Sequence, residues 1–174
     1  EPTATLNAAL LAAGVPGRAW AFDAGGFFVR HAADFDSARV NADSVARAFA
    51  VVLRKVPGVL RADMFSSFAK AKPAKDKIAR RWLHMFAPEG AAKMAVTLTP
   101  YSYWASINYA THGMPHDSDA NVPVLFWGAG VKSGAYRDEV RTVDMAPTLA
   151  AILGIRPTEK LDGVVLKKAV RGAR

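Results

Sequence analysis

The stretch VPVLFWG, at residues 122–128, constrains the fold more than any other part of the sequence. A strand with one solvated face alternates apolar and polar residues, but this run is almost continuously apolar. Such a run is typical of a strand buried on both faces. We therefore expect a buried core strand here, with the helix predicted at residues 144–153 packed on it.

The remaining segments alternate between helical and extended patterns. Apolar spacing and capping residues predict helices at 3–13, 41–58, 74–86 and 144–154. Extended runs predict a hairpin at 18–31 around the Ala-Gly-Gly turn, and strands at 59–64, 93–99 and 140–143. Because the two kinds of element are mixed throughout, the sequence predicts an α/β fold with a mixed α+β portion.

Composition excludes several classes of protein. The chain has 174 residues, of which 51% are hydrophobic, enough for one good-sized core. It contains no cysteine, so it has no disulfides, no thiolate zinc site and no cysteine nucleophile. Its apolar runs are too short to span a membrane, and its first residues lack the basic region of a signal peptide.

The net charge of +8 favours anionic partners, although the lysines and arginines can also simply solvate the surface. The densest basic stretch is KAKPAKDKIARR, at residues 70–81. It lacks the interleaved aromatic residues on which nucleic-acid bases stack. The sequence therefore gives no clear nucleic-acid site.

One loop concentrates residues that bind metals. THGMPHDSDA holds His112, His116, Asp117 and Asp119, and imidazole with carboxylate suits zinc, iron or manganese. Pro115 argues against a helix that would align the two histidines. The alternative is a turn in which the aspartates shape the chain and the histidines are exposed. A zinc site needs three or four ligands brought together in space, which this loop alone does not supply.

Other chemistry is weakly marked. The sequence has no GxSxG nucleophile motif, no P-loop and no GxGxxG motif. Asp144 precedes a predicted helix, so we interpret it as an N-cap and not as a metal ligand. His31 and His84 fit surface positions. The aromatic group could line a substrate cleft or serve packing, and its members are Tyr101, Tyr103, Trp104 and Tyr109.

The segment from the THG loop through VRTVDMAPTLAAILGI to LDG, residues 111–163, resembles the C-terminal end of the alkaline phosphatase superfamily. It is most similar to bacterial phosphate-irrepressible alkaline phosphatases and to nucleotide pyrophosphatase/phosphodiesterases. The resemblance continues more weakly upstream of the loop. It implies an alkaline-phosphatase-like α/β sandwich.

The resemblance also implies a chemistry. Enzymes of this family hydrolyse phosphoric esters with two zinc ions, held by three aspartates and three histidines, and a threonine or serine nucleophile. The histidine of the THG motif is a zinc ligand, and His112 occupies that position. His116, Asp117 and Asp119 inherit no role. The family also implies a periplasmic or secreted enzyme.

The chain departs from the family by what it lacks. No segment resembles the nucleophile region or the other metal motifs, so the chain resembles the last portion of a longer enzyme. Residues 1–100 would form a mixed α+β portion beside the active site, and residues 101–174 the part of the core that carries His112. We expect the isolated chain to be inactive and to bind zinc poorly, because one imidazole cannot hold catalytic zinc.

Three alternatives stay open at this point. A sulfatase shares the fold and a similar helix motif, although the THG loop followed by VP favours a phosphatase. A non-catalytic module could bind anions or a partner through its basic surface. A structural subdomain without independent activity is compatible with a fragment of an enzyme.

Overall fold

The computed structural model describes residues 2–23, 25–68, 70, 75–86, 90–104 and 112–172. These residues form two compact units, Glu1–Asn121 and Val122–Arg174. The fold is a mixed α/β arrangement, as predicted. None of the helices in the described ranges is long and apolar enough to cross a membrane.

A four-stranded antiparallel sheet organises the first unit. The strand order is β1-β2-β4-β3. The strands are β1 (Trp20–Asp23), β2 (Gly26–Val29), β3 (Val59–Met64) and β4 (Ala92–Leu98). The predicted hairpin and the strands predicted at 59–64 and 93–99 are confirmed.

The turn between β1 and β2 depends on Gly25. Its φ is +78°, a left-handed conformation that residues with a Cβ rarely adopt. A Cβ at this position would lie 2.8 Å from the carbonyl oxygen of Val96 on β4. The hairpin can therefore approach the central strand closely only because glycine stands at its tip.

The described part of this unit contains six α-helices and a short 3-10 helix at Gly17–Ala19. The α-helices are α1 (Pro2–Ala12), α2 (Ala32–Ser37), α3 (Ala42–Leu53), α4 (Phe65–Phe68), α5 (Lys77–Met85) and α6 (Asp117–Ala120). Asn41 caps α3 by accepting a hydrogen bond from the Ser44 backbone N–H at 2.8 Å. Asp76 caps α5 in the same way from the Ala79 N–H at 3.0 Å. The helix predicted at 3–13 is confirmed one residue earlier, and the helices predicted at 41–58 and 74–86 are confirmed as shorter ones.

Strand β4 is the buried centre of this unit. Successive side chains of a strand point to opposite faces, and both faces of β4 are covered. Met94, Val96 and Leu98 join a core cluster with α1 and α3. Ala92 and Ala95 join a second cluster with α4 and α5. The strand buried on both faces is therefore β4.

Helix α5 is fixed to β4 by a buried hydrogen bond. The indole Nε1–H of Trp82 donates to the hydroxyl of Thr97 at 2.9 Å, and both residues are fully buried. A buried indole N–H without a partner would lose its hydrogen bonds to water and gain none within the protein. This bond sets the position of the helix along the strand.

The second unit contains one α-helix among its described residues, α7 (Met145–Leu153), and short 3-10 helices at Thr142–Asp144 and Lys167–Ala169. An isolated antiparallel bridge joins Val131 to Val170. The helix predicted at 144–154 is confirmed. The strand predicted at 140–143 is wrong, because the chain turns into a 3-10 helix there.

The prediction of a buried strand at residues 122–128 is also wrong for this chain. The segment has no regular secondary structure, and Val122, Leu125 and Trp127 are 57%, 87% and 79% exposed. Within the described ranges, no backbone hydrogen bond involves residues 122–127. The described residues provide no neighbouring strand, so the apolar run has nothing to pair with and offers α7 no sheet to pack on.

The division of a longer enzyme's parts into residues 1–100, beside the active site, and residues 101–174, in the core, stays a prediction.

Replacing Thr97 with valine tests the bond between α5 and β4. The change keeps the shape of the side chain but leaves the Trp82 N–H buried without a partner. We expect the free energy of unfolding to fall by about 1–3 kcal/mol, measured by urea denaturation. Combining Thr97→Val with Trp82→Phe should cost less than the sum of the two single changes. Additive costs would show that the bond contributes nothing.

Candidate functional site

The candidate site is the segment of residues 112–121, here called the site loop. It contains all four residues of the predicted metal-binding group. Thr111, the first residue of the THG motif, lies outside the described residues. Hydrogen bonds tie the site loop to the end of β4 and to α5, and these bonds decide what each polar side chain can do.

His116 is held against the end of β4. Its Nε2 lies 2.7 Å from the carbonyl oxygen of Leu98. Because a carbonyl oxygen only accepts hydrogen bonds, Nε2 must carry the hydrogen. Because Nε2 carries this hydrogen, Nδ1 is the one ring nitrogen left that can offer a lone pair to a metal. The structure therefore gives His116 an anchoring role.

Asp119 closes the site loop on itself. Its Oδ2 accepts a hydrogen bond from the backbone N–H of Met114 at 2.9 Å. The sulfur of Met114 lies 3.5 Å from the backbone nitrogen of Leu98. Asp119 thus fixes the backbone ahead of α6, and Met114 contacts the end of β4.

Asp117 connects the site loop to α5. Its Oδ1 accepts a hydrogen bond from the Arg81 guanidinium at 2.7 Å, and Lys77 lies 3.8 Å from Oδ2. The hydrogen bond from Arg81, supported by the charges of Lys77 and Arg81, lowers the pKa of the Asp117 carboxyl. The Asp117 carboxylate therefore forms ion pairs with two residues of α5.

His112 is the remaining member of the group, and its side chain is exposed at the start of the site loop. One exposed imidazole suits Zn²⁺ as a single ligand. Within the described parts of the chain, no three histidine, aspartate or glutamate residues come close enough to share an ion. A metal site that includes His112 would therefore need ligands beyond the residues that the structure describes.

Of the other candidate residues, the aromatic group and two histidines, one packs against the core and others are exposed. Trp104 packs edge-to-face on Phe22, with ring centroids 5.4 Å apart. Tyr101 is 92% exposed, and Tyr109 lies outside the described residues. The aromatic group therefore does not form one cleft lining among the described residues. His31 and His84 are exposed, as predicted.

Sequence reasoning missed Arg81. It stands in the basic stretch that suggested an anion-binding surface, yet its guanidinium bonds both Asp117 and, at 3.1 Å, the carbonyl oxygen of Pro115. Pro115 is 34 residues away in sequence. The spacing of residues in the sequence does not indicate a contact over this distance. The one signal in the sequence is that the site loop contains acidic residues, which can pair with a basic side chain.

Asp144 is buried, and its carboxylate does not cap α7. Oδ2 accepts a hydrogen bond from the backbone N–H of Arg141, and Oδ1 accepts one from the backbone N–H of Val164, each at 2.9 Å. These two backbone hydrogen bonds hold the pKa of Asp144 below its ordinary value. The interpretation of Asp144 as the N-cap of α7 is corrected: it joins two segments of backbone.

Thr148 completes this arrangement. Its hydroxyl donates to the carbonyl oxygen of Asp144 at 2.6 Å and accepts from the backbone N–H of Leu166 at 2.9 Å. A Cβ on Gly163 would overlap the carbonyl group of Val143. We call these residues the Asp144 cluster: Asp144, Thr148, Gly163, Val164 and Leu166. The cluster brings residues of the TVD, APT and LDG motifs into contact.

No protein-family model matches the chain. Alkaline phosphatase PhoK of Sphingomonas sp is 44% identical over 55 residues, which are 31% of this chain and 10% of that protein. A protein named calcium-transporting ATPase, from Myroides odoratus, is 29% identical over 134 residues, which are 75% of this chain and 24% of that one.

Solved structures give the same fold. Wild-type alkaline phosphatase PafA superposes with a TM-score of 0.75 at 18% identity, over 97% of this chain and 32% of that one. A substituted variant of PafA gives 0.74 at 20% identity, over 95% of this chain and 32% of that one. The fold is thus that of one part of an alkaline-phosphatase-like chain.

The resemblance to the alkaline phosphatase superfamily is confirmed by these comparisons. The matches span about a tenth and a quarter of the two curated relatives and about a third of the solved chains. The role of His112 in metal binding stays a prediction.

Replacing Gly163 with alanine tests the close approach in the Asp144 cluster. The added methyl must displace the backbone of Val143, and such overpacking costs about 1–3 kcal/mol. We expect faster amide exchange at Val164 and Leu166. Gly17→Ala is the control, because its methyl would meet only the Asn7 side chain at 3.6 Å. Equal exchange in the two variants would refute the close contact.

The Asp144 cluster also predicts a pH dependence. The pKa of Asp144 in the folded chain lies below the ordinary 3.8, so the ionised form of its carboxyl group stabilises the fold. This stabilisation is complete above about pH 4 and is lost as the pH falls through the lowered pKa. Asp144→Asn is the reference, since it does not titrate. The difference in unfolding midpoint between wild type and variant should shrink at acid pH, and a difference that grows there would contradict the assignment.

Proposed function

We propose that this chain is the C-terminal portion of a zinc-dependent phosphoric-ester hydrolase, in which His112 is one zinc ligand. The observation that carries the proposal is the exposed position of His112 in the site loop. His116, Asp117 and Asp119 shape the loop, while His112 stands exposed at its start, at the position where the family resemblance has a zinc ligand.

The remaining ligands must come from elsewhere in a longer polypeptide. One neutral imidazole cannot hold Zn²⁺ against water, because affinity comes from several converging ligands. In two-metal hydrolases the bound ions activate a nucleophile and stabilise the oxygens of an in-line displacement. The contribution of this chain is to hold one imidazole in place. The serine or threonine nucleophile also belongs to the missing part.

A phosphoric ester is the proposed substrate class. PhoK and PafA are named as alkaline phosphatases, and the Myroides odoratus relative is named as an ATPase. All three names refer to phosphoryl chemistry, which supports a phosphomonoesterase or phosphodiesterase over a sulfatase. The net charge of +8 also suits an anionic substrate. By the same resemblance, we place the parent enzyme in the periplasm or outside the cell.

The alternative of a basic anion-binding module is less well supported. It rests on the basic surface of the chain, and in the densest basic stretch, at residues 70–81, Arg81 and Lys77 pair with Asp117. The single charge of Asp117 therefore offsets part of the positive charge of this stretch within the chain.

Removal of the His112 imidazole tests the proposal. In the polypeptide encoded by the complete coding sequence, His112→Ala should weaken zinc binding more than about 100-fold. Removing a residue that only orients a metal ligand already lowers metal affinity about 10–100-fold. Hydrolysis of an aryl phosphate should fall in parallel. Metal content by mass spectrometry and competition with a chelator measure the zinc.

His84→Ala is the matched control, since it removes an exposed imidazole from α5. It should leave zinc binding unchanged. The isolated chain should show no tight site by calorimetry and no hydrolysis. The proposal is wrong if His112→Ala retains full zinc affinity, or if the complete polypeptide hydrolyses no phosphoric ester.

A further inference from the structure

Arg81 joins α5 to the site loop through two acceptors. One guanidinium nitrogen donates to the carbonyl oxygen of Pro115 at 3.1 Å, and another donates to the Asp117 carboxylate at 2.7 Å. We call this pair of hydrogen bonds the Arg81 bridge. A planar guanidinium can serve both acceptors at once, whereas an ammonium group is a point charge on a flexible stem.

The helical end of the Arg81 bridge is rigidly placed. Trp82 follows Arg81 directly, is fully buried, and bonds Thr97 on β4. Asp76 caps the start of the same helix. The Arg81 side chain is itself only 24% exposed. The guanidinium therefore projects from a backbone that the core holds in position.

The loop end of the bridge lies close to His112. Pro115 is buried and stands three residues after His112 in the sequence. Asp119 fixes the Met114 backbone, and His116 is bonded to Leu98. Residues 114–119 thus form one tied segment. On this side of His112, only Gly113 separates the imidazole-bearing residue from the tied segment.

We propose that Arg81 is a positioning residue for His112, acting through Pro115 and Asp117. The proposal rests on the proposed function, because His112 must be placed for a metal. Without the Arg81 bridge, the site loop would keep its contacts to β4, and its tie to α5 would be reduced to the exposed ion pair between Lys77 and Asp117. His112 would then sample more positions, and zinc would bind more weakly although every ligand was still present.

The first test measures the site loop in the metal-free 174-residue chain. Arg81→Ala should raise the amide exchange rate of Met114 about five- to tenfold, given the usual worth of hydrogen bonds to charged groups and of part-exposed ion pairs. Arg80→Ala is the matched control, as Arg80 is exposed on the same helix. It should leave this rate unchanged.

Two further variants separate the bridge from the stability of α5. Asp117→Asn weakens the same bridge from the loop side, leaves the sequence of α5 intact, and should raise the exchange rate similarly. Arg81→Lys keeps the charge but has a shorter reach and lacks the planar fork of the guanidinium, so its effect should be intermediate. Adding Asp117→Asn to Arg81→Ala should then cause little further change.

The second test measures zinc retention in the complete polypeptide, by the rate at which a chelator removes the metal. Arg81→Ala should speed zinc release several-fold, and Arg80→Ala should not. If Arg81→Ala leaves both Met114 exchange and zinc release at the level of Arg80→Ala, the positioning role is refuted. Faster exchange with unchanged zinc release would also refute it, because the bridge would then stabilise the loop without serving the metal. Unchanged zinc affinity in His112→Ala would instead refute the proposed function.

Discussion

The last residue of β4, Leu98, joins the core of the first unit to the candidate site. Its carbonyl oxygen accepts the hydrogen bond of His116, and its backbone nitrogen contacts the sulfur of Met114. Leu98 can hold the site loop only because β4 is fixed by neighbouring strands and by packing on both faces. The same strand positions α5 through Thr97 and Trp82, and so determines where Arg81 meets the loop.

Local patterns in the sequence predicted the elements of this unit well. Capping at Asn41 and the glycine turn before β2 depend on residues a few positions apart, which makes them readable from sequence. The site loop was harder. Proline excluded a helix through His112 and His116, but the partners of Asp117 and Pro115 are distant in sequence. Such contacts depend on how α5 packs, which no local pattern encodes.

The second unit shows two ways in which a sequence pattern can mislead. The apolar run at residues 122–128 has the composition of a core strand but no neighbouring strand among the described residues, and apolar composition alone does not say what covers it. Asp144 stands where an N-cap is expected, yet it is buried and bonds Val164. A cap and a carboxylate that joins two backbone segments have the same local sequence, so only the fold distinguishes them.

The proposed function requires that His112, and not its neighbour His116, binds zinc through its imidazole. X-ray absorption at the zinc edge of the zinc-loaded complete polypeptide distinguishes the two residues, because it reports the ligands themselves. Imidazole scattering should fall in His112→Ala. It should be unchanged in His116→Gln, which keeps an N–H donor for the Leu98 carbonyl. An unchanged imidazole signal in His112→Ala, or a loss confined to His116→Gln, would show that His112 is not the ligand.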